Sequence, residues 1–193
     1  MTEEKRKGLG AHPIKDGIVD AIEDSGDVYT ATVDTVSLAV QDALAASKRA
    51  GSSAVGAVTY VALGAIRGAL EVDIDLAEAC KGIVVGVLLG SRDRGDAFLR
   101  AISHTARTVA HHTAMTGSDV GAATAGLIEG ALQSARDTGG DLPRAASAAA
   151  QGALEGAEEV GFAAAEQVRS ALAPPFQGVQ VLLPPPYQQQ ERS

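Results

Sequence analysis

Apolar residues recur along this chain at helical spacing. Tyr29, Val33, Val36, Val40 and Leu44 advance by steps of four and three, which places them on one stripe of a helix. Gly, Asp and Pro interrupt the pattern at regular intervals. They predict a short helix from near Pro13 to before Gly26, and a second over about Val28 to Arg49. Lys48 and Arg49 suit the negative end of that second helix, and Gly51 suits its C-terminal cap. Ser52 or Ser53 caps a third helix to about Val72. Asp75 opens a fourth, with Glu78 three residues later completing a capping-box-like pattern.

The same signals return after Gly95. Asp96 is expected to lead a helix to about Thr116, ended by Gly117. Ser118 is expected to lead the next, to about Asp137, closed by Gly139 and Gly140. Asp141 leads another to about Val160, with Pro143 tolerated in its first turn, and Phe162 to Ala173 form the last before Pro174 and Pro175.

A shift of 66 residues superposes Gly51–Gly95 on Gly117–Gly161 without a gap. The matches include Gly51/Gly117, Gly64/Gly130, Asp75/Asp141, Gly86/Gly152, Gly90/Gly156 and Gly95/Gly161. Caps and interior glycines coincide as a set, as a duplication would leave them. The expected fold is therefore all-α: an internally duplicated array of about two three-helix units. Residues 1–25 form an arm and short helix, 26–94 the first unit, 95–173 the second unit with a terminal helix, and 174–193 an extended or disordered Pro/Gln-rich tail. The second unit replaces Ile83, Val84 and Val85 with Ala149, Ala150 and Gln151, so the first is expected to have the better core.

Composition explains how such helices must meet. Apolar residues make up 46% of the chain but aromatics only 3%, and Trp is absent, so bulky side chains cannot fill the gaps between helices. Glycines recur every fourth residue at Gly64/Gly68, Gly82/Gly86/Gly90, Gly117/Gly121, Gly126/Gly130 and Gly152/Gly156, each set marking one helix face. Each glycine inside a helix costs roughly 1 kcal/mol relative to alanine. Close approach of helix backbones is the available compensation. Gly64, Gly68, Gly82, Gly86, Gly90, Gly126, Gly130, Gly152 and Gly156 are thus the expected helix-packing residues, whether within one chain, between chains or, as in membrane helix pairs, against lipid-embedded partners.

The formal charge of −8 argues against nucleic acid as a partner. Lys5, Arg6 and Lys7 form a short basic patch diluted by Glu3 and Glu4. The N-terminal stretch has no apolar segment of a secretory signal, and the uncharged helical runs, Ala50 to Ile66 and Gly82 to Ser91, are too short for a membrane span. A single cysteine, Cys80, fits a reducing compartment, so a cytoplasmic protein is expected.

Candidate chemistry is sparse. His104 and His111 share a helix face but stand about 10.5 Å apart along the axis, too far for one metal, and Thr108 fills the i, i+4 position. Glu71, Asp73, Asp75 and Glu78 form an acidic corner without the register of a calcium loop. Cys80 sits among Leu76, Ala79, Ile83 and Val84, the surroundings of a buried structural thiol. Arg94-Gly95-Asp96 spells an integrin-type tripeptide and Pro184-Pro185-Pro186-Tyr187 a WW-ligand pattern, both short enough to arise without function. No nucleophile elbow, phosphate loop, dinucleotide fingerprint or zincin motif is present. The expectation is a non-enzymatic structural or interaction protein without cofactor or metal, its partner itself or another protein. The alternatives are peripheral association with a lipid or inclusion surface, and a small-ligand binder or enzyme.

Overall fold

The structure, a computed structural model, describes residues 12–72, 74–173, 175, 176 and 178–181. The N-terminal arm, Asp73 and the Pro184–Tyr187 motif lie outside them. Among the described residues the chain forms eight helices: α1 (His12–Ser25), α2 (Val28–Ala50), α3 (Ala54–Ala69), α4 (Leu76–Ser91), α5 (Gly95–Met115), α6 (Val120–Thr138), α7 (Leu142–Glu158) and α8 (Phe162–Ala171). The fold is all-helical, and no helix of the described residues is long and apolar enough to cross a membrane.

Short polar side chains set most of the starts. Asp27 accepts from the Thr30 amide at 3.0 Å, Ser53 from Gly56 at 3.4 Å, Asp75 from Ala77 at 2.9 Å and Asp141 from Arg144 at 3.0 Å. Two expected starts move. Asp119, one residue beyond Ser118, caps α6 by accepting from Ala122 at 2.9 Å. At α5 the capping position belongs to Arg94, which makes no side-chain cap bond, and Asp96 lies inside the first turn, 3.3 Å from Arg144. Gly51, Gly117 and Gly139 end their helices in the left-handed conformation that a side chain resists. α3 stops at Ala69, short of Val72, because its end tightens into a Glu71 N–H to Gly68 carbonyl bond.

Each helix packs on its neighbours one and two places along the chain, and every extensive helix–helix contact has that range. One buried cluster runs through the whole array, from Ile18 to Val168. α4 lies at its middle, against α2, α3, α5 and α6. Ten of its sixteen residues are buried, so it shows little amphipathic contrast.

The glycines sit where backbone meets backbone. A Cβ on Gly82, Gly86 or Gly90 would lie 2.8 Å from Thr32 Cβ, 2.7 Å from Val36 Cβ or 2.6 Å from the Ser37 carbonyl oxygen, all on α2. On Gly126 it would reach to 2.0 Å of the Ala77 carbonyl oxygen of α4, and on Gly130 to 2.7 Å of that of Lys81. Gly152 and Gly156 stand likewise against Ser103 and Arg107 of α5, and Gly68 against Lys15 of α1. Gly64 is buried on α3. These surfaces are closed by helices of the same chain. The Gly117/Gly121 pair differs: Gly117 is a cap, and the nearest atom a Cβ on Gly121 would meet is Asp119 Oδ1 at 3.2 Å.

Past α8, Phe176 and Val179 exchange backbone hydrogen bonds of 3.1 and 2.8 Å around Gly178, which has a positive φ of 79°. Phe176, Val179 and Val181 rest half-buried on the helical core.

Candidate functional site

The sequence-flagged histidines separate in the structure. His104 shares a hydrogen bond with Thr59 of α3. His111 faces Glu159 at 3.3 Å, and Glu159 also pairs with Arg107. His112 is half-buried, with Arg67 and His111 nearby. Among the described residues no three His, Cys, Asp or Glu side chains gather closely enough to hold a metal ion.

His104 does line a cleft of 490 Å³ between α2, α3 and α5, with Val55, Val58, Arg100 and Arg107. Burial, then the Arg107 charge, holds its pKa below the ordinary 6.5, and burial does the same to His112. The unfolded chain therefore takes up these protons first as pH falls. The associated stability is present above about pH 6.5 and is lost as pH drops toward the depressed folded values. His104→Gln keeps a partner for Thr59 and removes one titration. The melting temperature of the variant should fall less than that of the wild type between pH 7 and 5; parallel decline in thermal scans would contradict the assignment.

A second cleft, of 410 Å³, opens between α2, α4, α6 and the start of α5. The α4–α5 connector divides the two. Its Ser91 and Asp93 line the His104 cleft, while Arg92 and Arg94 line the second. Three local penalties meet there. Arg92 has a φ of 56° and is the non-glycine residue with positive φ among the described residues, at a cost of about 1–2 kcal/mol. Arg94 leaves the start of α5 without a side-chain cap, which costs about 1 kcal/mol. Ser134 of α6 is 7% exposed, and its hydroxyl has no hydrogen-bond partner, a cost of about 1–3 kcal/mol.

The remaining sequence candidates have local explanations. Of the acidic corner, Glu71 pairs with Lys15 at 2.6 Å, Asp75 caps α4, and Glu78 lies 3.5 Å from Lys81. Cys80 is fully buried, and that burial pushes its thiol far up, so it is a poor nucleophile. The Arg94-Gly95-Asp96 tripeptide is split: Arg94 donates to the Asp93 carbonyl, and Asp96 pairs with Arg144.

One surface feature escaped the sequence reading, which treated Phe162 only as a helix start. Phe162 is 79% exposed at the first position of α8, close in sequence to Val160, 40% exposed. Met115, 65% exposed, ends α5. Neighbours of all three, Ala114, Gly161 and Ala163, line a shallow cleft of 210 Å³. The chain has only three phenylalanines, and Phe98 and Phe176 both join the core. That scarcity was the available signal. No family model, curated protein or solved structure matches the chain.

Proposed function

We propose that the protein is a non-enzymatic interaction module: a stiff array of two related helical units that presents an apolar end surface to another protein. The exposure of Phe162, two residues after the exposed Val160, carries this reading. A large aromatic left in water is a characteristic anchor of protein interfaces. Backbone-to-backbone packing limits adjustment of the surface on binding, which lowers the ordering penalty of association.

The relation between units is supported by more than identities. The 66-residue shift carries the caps Ser53 and Asp75 onto Asp119 and Asp141, and the left-handed Gly51 and Gly95 onto positive-φ Gly117 and Gly161. It also carries the α2–α4 and α3–α5 packings onto α5–α7 and α6–α8. The correspondence extends back to α1, where Ser25, Gly26 and Asp27 stand for Ser91, Arg92 and Asp93. The buried thiol suits a reducing compartment, and we place the protein in the cytoplasm.

Phe162→Ser tests the interface. It adds no buried polar group to the free protein, so its melting temperature should stay within about 2 °C of wild type. Native mass measurement and crosslinking in cells should show a complex with wild type that the variant weakens by roughly tenfold or more. Identical assembly of the two proteins would overturn the reading. Co-flotation of wild type with liposomes, lost in the variant, would assign the same patch to a lipid surface instead.

A further inference from the structure

We infer that the cleft between α2, α4 and α6 is a binding site for an amphipathic monocarboxylate, with its carboxylate held by Arg92 and Arg94 and its hydrocarbon body laid on Leu88, Leu89 and Phe98. This site lies apart from the Phe162 patch and does not depend on it.

Charge selects the head group. The cleft carries two guanidinium groups and one carboxylate, Asp137, in a chain whose formal charge is −8. Arg92 forms no ion pair among the described residues, and Arg94 donates to the neutral Asp93 carbonyl at 3.0 Å. Both forks can therefore meet an anion. The net charge of one positive unit favours an anionic head group over a neutral or cationic one.

The walls select the rest of the ligand. Leu88 and Phe98 are buried, Leu89 is 55% exposed, and the volume of 410 Å³ lies within the range of small-molecule sites, roughly 300–1,000 Å³. Ser134 also borders the cleft, with its side chain more than nine-tenths buried and its enclosed hydroxyl without a partner.

The connector reinforces the assignment. Where the chain turns from α1 to α2 it uses Gly26, relaxed at a φ of 67°, and Asp27 caps α2. The α4–α5 turn places Arg92 in the left-handed position and gives up the aspartate cap for Arg94. Local rules are broken together where two arginines enter a cleft, as at a functional site.

Octanoate, titrated into the full chain and followed by calorimetry and amide NMR, is expected to bind and to shift residues 88–94 and 134–138. Arg92→Gly separates binding from folding. Relief of the left-handed backbone should raise the melting temperature by roughly 2–4 °C, while octanoate affinity falls about tenfold or more. Octanol should bind at least about tenfold more weakly than octanoate. The proposal is overturned if octanoate leaves those amides unmoved, if R92G binds it as wild type does, or if octanol binds as tightly.

Discussion

Replacing Gly126 with alanine is expected to destabilise the protein by about 3 kcal/mol or more, although alanine is the better helix former. The intrinsic preference runs about 1 kcal/mol the other way. Packing overrides it, because the added Cβ would lie 2.0 Å from the Ala77 carbonyl oxygen, 2.7 Å from its carbon and 2.9 Å from its Cα. None of those atoms belongs to a side chain that could rotate aside. α6 must therefore back away from α4 along their whole contact, and overpacking of this kind costs about 1–3 kcal/mol or more before contacts elsewhere are lost. Gly152→Ala should behave alike, with a Cβ 2.1 Å from the Ser103 carbonyl oxygen. Gly17→Ala is the matched control. It lies in the middle of α1, where the nearest atom to a Cβ would be Thr35 Cγ2 at 3.8 Å, so it should gain about 1 kcal/mol. Urea unfolding at constant m-value compares the three; a Gly126 variant as stable as wild type would refute close packing as the role of these glycines.

Ile83→Ala is expected to cost about 4 kcal/mol, in the upper part of the range for such truncations. Ile83 is fully buried on the central helix. The penalty depends on how far the walls can collapse into the void. Here they are held: α4 rests on α2 through Gly82, Gly86 and Gly90, and α6 rests on α4 through Gly126 and Gly130. Helices already in backbone contact cannot move closer, so the cavity persists. The melting temperature should fall by roughly 8–16 °C. A loss below about 1.5 kcal/mol would mean that the helices slide to refill the site.

Helix boundaries were legible where a single residue decides them. Asp75, Asp141 and Gly51 act through hydrogen bonds or backbone angles within one turn, and the structure uses each as read. Ser118 and Asp119 are both competent caps, and the spacing pointed to Ser118, one residue before the cap that α6 uses. Relations between helices were less accessible. Alignment matches Gly64 with Gly130, yet Gly130 faces the Lys81 carbonyl while Gly68 faces that of Lys15, the residue 66 positions before Lys81. Similarly, Gly90 faces Ser37 while Gly152, 62 residues on, faces Ser103, 66 residues on. The register of helix against helix thus differs by one turn between these aligned pairs, and composition does not encode that difference. The clefts were hidden for the same reason. Four helices converge to line the second one, and the missing partner of Ser134 is a property of its surroundings.

The restriction of helix contacts to the next two neighbours bears on synthesis of the chain. No helix must wait for a distant segment to arrive before it can dock, so the entropy of closing long loops never enters. α2 acquires its α4 support, and α3 its α5 support, while the following helices are still being made. Order can then advance along the array behind the ribosome, with α7 and α8, and the Phe162 surface between them, the last to be completed.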